Sequence, residues 1–275
     1  MKIIKSCFEI QNLCNSIRYE GKTIGFVPTM GFLHEGHLSL MRRSRAENDI
    51  SVISIFVNPT QFGPNEDYET YPRDIERDSK MAEDVGVDII FTPEVKDMYP
   101  DGYATFVNVE GLTNKMCGIS RPTHFRGVTT VVSKLFNLVH PNKAYFGQKD
   151  AQQAIVIKRM TKDLNFDIQI IVMPTIRESD GLAMSSRNKY LNAEERQAAL
   201  VLSQSLFLAQ ELINQGNTNA KEIYNLIKDK ISSEPLAKID YIAIVNADNL
   251  ELKIMTDLIQ VLLAFLQHLN IYFLN

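Results

Sequence analysis

Residues 23–27, 50–57, 87–91, 144–146 and 168–172 are nearly continuous apolar runs, several of them rich in β-branched side chains. A strand that is apolar at every position has to bury both of its faces. Between these runs lie segments with helical character: 6–19, 35–48, 72–85, 128–139 and 150–163. Pro72 is tolerable there only near the start of its helix. Strands of this kind alternating with helices predict an α/β fold, a parallel sheet with helices on both faces.

After Pro174 the texture changes. Residues 193–215 read as one long amphipathic helix with Asn192 as its N-cap. A turn at 216–219, a helix at 220–231 and a strand at 241–245 follow, with part of 258–266 able to pair with that strand. This predicts two domains, 1–175 and a smaller α+β domain at 176–275, joined without a flexible linker.

Composition narrows the function. A formal charge of −4 argues against nonspecific nucleic-acid binding. Cys7, Cys14 and Cys117 are few, scattered and odd in number, which fits a reducing compartment and a cytoplasmic protein. Cys7 and Cys14 are two helical turns apart and read as a buried face rather than a redox or metal pair. The N-terminus lacks the basic, apolar and small-residue succession of a signal peptide. The apolar stretch 258–274 is broken by Gln260, Gln267, His268 and Asn270 and is short for a membrane span.

The chemistry sits where strands end. The run 23–27 is followed by Pro28-Thr29-Met30-Gly31-Phe32-Leu33-His34-Glu35-Gly36-His37 and then by an amphipathic helix. A helix start presents unpaired N–H groups and the positive end of the dipole, which attract phosphate. Gly31 and Gly36 permit close backbone approach. His34 and His37 share one helix face. Zinc is the weaker reading, because zincin pairs are spaced by four and no third ligand is evident.

Four further segments repeat the pattern of polar groups beside a strand or helix end. Asn58 and Gln61, in Asn58-Pro59-Thr60-Gln61, offer paired donors and acceptors to a polar substrate. Arg121 and His124, in Arg121-Pro122-Thr123-His124-Phe125-Arg126-Gly127, can clamp an anion. Gly147-Gln148-Lys149-Asp150 ends a strand and opens a helix that carries Gln153. There Lys149 can neutralise phosphate and Asp150 can accept ribose hydroxyls. Met184-Ser185-Ser186-Arg187 supplies two hydroxyls and a guanidinium, a compact phosphate grip at the junction of the two halves.

Taken together, PTMGFLHEGH, FVNPTQFGPNEDYETYPR, HFRGV, FGQKDAQQ and DGLAMSSRN resemble the pantothenate synthetases, the pantoate–β-alanine ligases, within the superfamily of nucleotidylyltransferases and class I aminoacyl-tRNA synthetases. The resemblance spans Pro28 to Asn188 in the family's order. It implies a Rossmann-like N-terminal domain, a C-terminal lid domain and a homodimer. It also implies condensation of pantoate with β-alanine using ATP and magnesium, through a pantoyl adenylate. ATP would be held by Met30, Gly31, Phe32, Leu33, His34, Glu35, Gly36, His37, Gly147, Gln148, Lys149, Asp150, Ile176 and Met184 to Arg187. His37 would be a proton donor to the departing phosphate, with His34, Lys149, Ser185, Ser186 and Arg187 beside it. Pantoate and β-alanine would be held by Gln61 and Gln153, with Asn58, Arg121 and His124 nearby. The implied partners are these small molecules alone, with no nucleic acid and no membrane.

Two departures stand out. Thr123 occupies a position where the family usually carries glycine. The chain also ends Gln267-His268-Leu269-Asn270-Ile271-Tyr272-Phe273-Leu274-Asn275 rather than with the family's arginine-leucine-isoleucine-aspartate-asparagine segment. The competing readings are a nucleotidylyltransferase with a phosphate-ester acceptor and a catalytically silent nucleotide-binding protein.

Overall fold

A computed structural model of the chain describes residues 1–252 and the pair Val261–Leu262. It opens with β1 (Lys2–Ile4) and α1 (Cys7–Tyr19), followed by β2 (Ile24–Thr29), α2 (Glu35–Glu47) and β3 (Ile50–Ile55). Next come α3 (Ile75–Asp84) and β4 (Ile89–Phe91), then two single-turn helices, α4 (Val95–Met98) and α5 (Cys117–Ser120). α6 (His124–Val139), β5 (Lys143–Gly147), α7 (Ala151–Asp163) and β6 (Gln169–Met173) complete the sheet region. Beyond it lie α8 (Ala193–Ala198), α9 (Leu200–Asn214), α10 (Ala220–Ser232) and the antiparallel pair β7 (Val245–Asn246) and β8 (Val261–Leu262).

The expected parallel sheet is present, with six strands in the order β1-β4-β3-β2-β5-β6. Its strands explain the uninterrupted apolar runs. Phe26, Val52, Ile89, Phe91, Ala144 and Phe146 face one core, shared with α1, α6 and α7. Their neighbours Val27, Ile53, Ile90 and Tyr145 face a second core, shared with α2 and α3. Successive strand residues point to opposite faces, so both parities have to be apolar. The core at α9 and α10 is separate and includes Val201, Ala209, Ile223, Ile227 and Ile231.

Residues 241–245 connect these regions. Tyr241, Ala243 and Val245 pack on the first sheet core, whereas Ile242 and Ile244 join the α9–α10 cluster. The segment thus lies between two cores, extended and alternating.

Several boundaries differ from expectation. The helix predicted from 72 begins at Ile75, because Asp74 caps it by accepting from the Arg77 N–H at 3.0 Å. α6 starts a turn earlier than predicted, at His124. The long helix at 193–215 is divided at Ala199, after a short α8 whose capping box joins Asn192 and Glu195. Only Val245 of the predicted strand 241–245 enters a ladder, and it pairs with Leu262. Apart from Val261–Leu262, the stretch 258–274 lies outside the described residues. Among those described, no helix is long and apolar enough to cross a membrane.

β2 and α2 approach closely because Gly25 has no side chain. A Cβ there would lie 2.4 Å from both Asn48 Nδ2 and Ser44 Oγ. Asn48 Nδ2 in turn donates to Ser44 O and to the Tyr145 hydroxyl, so it has little room to yield. Gly25→Ala is therefore expected to lose about 1–3 kcal/mol of stability. Urea denaturation measures this, and an unchanged midpoint would show that α2 can move away without cost.

Candidate active site

Setting β1 aside, the strand order runs β4-β3-β2 in one direction and β5-β6 in the other, so the order reverses between β2 and β5. Ligands of open α/β sheets bind beyond the carboxyl ends of strands at such a reversal. Here the β2–β5 ladder covers only Gly25↔Lys143 and Phe26↔Ala144. Pro28, which has no N–H to donate, lies two residues past Phe26, the last paired residue of β2. The ladder therefore stops short of the strand ends at Thr29 and Gly147, the ends that carry the histidine loop and the Lys149 turn.

The histidine loop is held from below. Thr29 Oγ1 donates to Ser54 O at 2.7 Å and accepts from the Gly31 N–H at 3.2 Å. Gly31 has φ +86°, and a Cβ there would meet Ile55 at 2.9 Å and Asp78 at 3.0 Å. Phe32 is also left-handed, at φ 48°. Asp78 compensates for this strained turn: its carboxylate accepts the N–H groups of Phe32 at 2.6 Å and Leu33 at 2.8 Å. These two amides, expected to face phosphate, are thus engaged by an internal anion. Arg77 donates to Leu33 O and stacks over the Phe32 ring.

His34 occupies the N-cap of α2. The His34 N–H donates to His37 Nδ1 at 3.4 Å, so the neutral His37 ring carries its hydrogen on Nε2. The two imidazole centroids are 4.0 Å apart. Gly36 allows this stacking, since a Cβ there would lie 2.9 Å from the His34 ring. Burial, helped by the charge of Lys149, lowers the His34 pKa to about 4. Burial, then His34 and Lys149, hold His37 well below the ordinary histidine value. Both rings are neutral hydrogen-bonding groups at pH 7.

The Asn58–Gln61 turn faces the same region. Gln61 Nε2 lies 3.2 Å from Met30 Sδ, which places its carboxamide against the histidine loop. Asn58 is 1% exposed, and its carboxamide is engaged by Gln61, Gly127 O, Thr60 and Tyr99. It braces Gln61 from the side of Gly127 and Tyr99. Arg121 and His124 are engaged likewise. Arg121 pairs with Glu66 through Nε and Nη2 and also donates to Gln61 O. His124 Nδ1 lies 3.0 Å from the same carbonyl. Both residues thus fix the backbone of the glutamine turn. Gly127 completes the support, because a Cβ there would overlap Thr60 O at 2.3 Å. Thr123, in place of the usual glycine, has φ −96° and ψ −12°, a conformation open to any residue.

On the other side of the reversal, Gln148–Asp150 form one tight turn before α7. Lys149 Nζ lies 3.7 Å from Asp150 Oδ1, and the Lys149 charge reaches both imidazoles. Gln153 is the third residue of α7. Residues 176–184 form a hairpin, with Met184 N–H on Ile176 O and Gly181 left-handed at its tip. The hairpin delivers Ser185, Ser186 and Arg187. Ser186 Oγ donates to Phe32 O at 3.2 Å, which joins this segment to the histidine loop. Arg187 donates through Nε and Nη2 to Asp67, at 2.9 and 2.8 Å.

The structure therefore brings together Met30–His37, Gln61, Lys149, Asp150 and Ser185–Arg187. Sequence reasoning missed Asp78, Gly127 and the acids Glu66 and Asp67. It also missed Gln152, whose carboxamide holds Leu112, Lys115 and Cys117. Only the placement of Asp78 one helical turn past the Asp74 cap gave any local signal.

Loops of this kind flanking a strand-order reversal make the chain a nucleotide-binding α/β enzyme of the Rossmann-like class. More narrowly, the chain belongs to the pantoate–β-alanine ligases: the model of that family, described as pantoate-beta-alanine ligase, matches residues 2–270. A pantothenate synthetase of Acetivibrio thermocellus is 60% identical over 251 residues, 91% of this chain and 89% of its own length. A solved pantothenate synthetase from Thermus thermophilus superposes with a TM-score of 0.88 at 46% identity, covering 94% of this chain and 91% of that one. A pantoate-beta-alanine ligase from Francisella tularensis, complexed with beta-gamma ATP and β-alanine, has a TM-score of 0.75 at 39% identity, covering 90% of each chain.

The histidines give this site a pH signature. His124 shares the burial effect, with a pKa lowered to about 4. An unfolded histidine takes its proton near 6.5. Below about pH 6.5 the unfolded chain thus binds protons that the native state refuses, and stability falls as pH falls. The slope is up to about 1.4 kcal/mol per pH unit for each histidine. Urea titrations at about pH 6.5 and about pH 5, run on the parent and on His124→Gln, check this. The variant is expected to show the shallower loss; equal slopes would mean that His124 is not held neutral.

Proposed function

We propose that the chain joins pantoate to β-alanine at the expense of ATP, through a pantoyl adenylate, and releases AMP and pyrophosphate. The observation that carries this reading is the meeting of Lys149, His34 and His37 at the strand reversal, with Gln61 against Met30 and Ser186 against Phe32. One group of loops thus offers phosphate donors beside a carboxamide suited to a hydroxy acid.

A carboxylate is a poor acyl donor, so pantoate has to be activated. Its oxygen attacks the α-phosphorus of ATP, a new P–O bond forms, and the bond to the β-phosphoryl bridge breaks. The amine of β-alanine then attacks the acyl carbon, and AMP departs with the former carboxylate oxygen. No cysteine or activated serine stands at the centre of these loops, so no enzyme nucleophile is assigned. The chain aligns the reactants and stabilises charge on the phosphoryl groups.

In this reading Lys149, Ser185, Ser186 and Arg187 contact the triphosphate. His37 presents its Nε2–H to the same anion as a neutral donor. Entry of the triphosphate charge raises the imidazole pKa, so proton donation belongs to the complex and not to the free enzyme. Gln61 and Gln153 bind the acid substrates, and Asn58, Arg121 and His124 position Gln61. Residues 1–175 supply the sheet loops, and the 176–275 portion supplies the serine–arginine grip.

Among the described residues no group of three histidine, cysteine, aspartate or glutamate side chains forms a metal cage. Magnesium bound mainly by phosphates needs only one or two protein carboxylates, and Asp150, partly exposed beside Lys149, fits that demand. When bound, the ion neutralises phosphate charge.

His37→Ala and Lys149→Ala are each expected to slow adenylate formation by roughly a hundredfold or more, about 3–4 kcal/mol of transition-state stabilisation. Pyrophosphate release in a single turnover with ATP, pantoate and β-alanine measures this. Near-parent rates in both variants would remove the assignment. A nucleotidyl product in place of AMP would favour the transferase reading. Gln153→Ala is expected to weaken pantoate binding, read by calorimetry, while ATP binding stays close to that of the parent.

A further inference from the structure

Two arginines drawn from the anion-binding motifs are held by adjacent acids, Arg121 by Glu66 and Arg187 by Asp67. The two pairs differ in a way that separates their roles. Arg121 has a side chain only 9% exposed and also supports the Gln61 carbonyl, so it is built into the glutamine turn. Arg187 is 40% exposed and Asp67 24%. The Arg187 guanidinium lies over the Tyr71 ring, and both of its hydrogen bonds to a protein carboxylate go to Asp67. The two residues are separated by 120 positions. Asp67 thus takes Arg187 by its Nε and Nη2 edge, the same two-donor fork that binds a phosphate.

We propose that Asp67 is an internal competitor for Arg187: its carboxylate occupies the guanidinium edge that a nucleotide phosphate takes, so ATP binding and the Asp67–Arg187 pair exclude each other. The proposal rests on the reading of Arg187 as a phosphate ligand. The pair is open enough to solvent to be exchanged, and Ser185, whose Oγ accepts the Arg187 N–H at 3.3 Å, stands two residues before the arginine with a hydroxyl that serves the incoming anion. The competition tunes nucleotide affinity downwards, and it keeps Arg187 ordered and neutralised until a triphosphate arrives.

Calorimetric titration of ATP with magnesium chloride, in the absence of pantoate and β-alanine, tests this on the full chain. The set comprises the parent, Asp67→Asn, Arg187→Ala and the double variant. Asp67→Asn is expected to bind ATP about fivefold more tightly, the most that a partly exposed pair of this kind withholds. Arg187→Ala is expected to bind at least about tenfold more weakly, as loss of a charge-assisted phosphate contact requires. In the Arg187→Ala background the Asp67 substitution should change nothing.

If Arg187→Ala binds ATP like the parent, the phosphate role of Arg187 fails and the competition fails with it. If Arg187→Ala weakens binding but Asp67→Asn leaves it unchanged or weakens it, Arg187 keeps its role and the competition alone is overturned. Equal tightening by Asp67→Asn with and without Arg187 would mark a general charge effect and would also overturn it. Asp67→Ser provides a second removal of the carboxylate should the asparagine variant fold poorly.

Discussion

Between β2 and β5 the sheet changes the direction in which it grows, and the ladder joining these strands covers only two residue pairs. The loops of the candidate site all depend on that shortened seam. Each strand ends in a loop beyond it, one carrying His34 and His37 and the other Lys149 and Asp150. Because the strands are parallel, both carboxyl ends lie on the same edge of the sheet. Two cores clamp the strands from opposite faces, so the loops inherit a rigid base.

The loops themselves are fixed by groups bound to one another and to the main chain. Asp78 satisfies two amides of a turn that includes a left-handed phenylalanine. Arg121, His124 and Asn58 converge on Gln61, the first two through its main-chain carbonyl, and Glu66 holds Arg121 in place. Preorganisation of this sort places donors where charge develops during reaction and avoids rearrangement at that moment. The neutral state of the histidines belongs to the same design, since enclosure that lowers their basicity also strengthens each hydrogen bond they make.

Much of this arrangement was legible in the residues. The apolar runs announced a doubly covered sheet because each parity had to be buried, and the glycine-flanked motifs marked the strand ends. The three-residue β1 was not legible, since only one of its side chains is buried. The division at Ala199 was hidden by continuous helical periodicity. Arg121 and His124 read naturally as an anion clamp; that they also hold Glu66 and the Gln61 carbonyl, 55 and 63 positions away, could not be read there. Gly127 read as the end of a loop before the helix; its place inside α6 against the turn at Thr60 was not legible. Contacts of that range leave no periodic trace for a sequence pattern to reveal.

The extended stretch from Tyr241 to Val245 carries a consequence for how such a chain can vary. Odd-numbered side chains serve the sheet and even-numbered ones serve the helical hairpin, so parity decides which core each residue fills. Deleting or inserting one residue inside this stretch would exchange the two sets beyond the change, driving an isoleucine into space shaped for alanine or valine. A change of two would restore the alternation. The connection between α10 and Tyr241, by contrast, can absorb an odd step in its own path, so length is free to drift before the stretch and not within it.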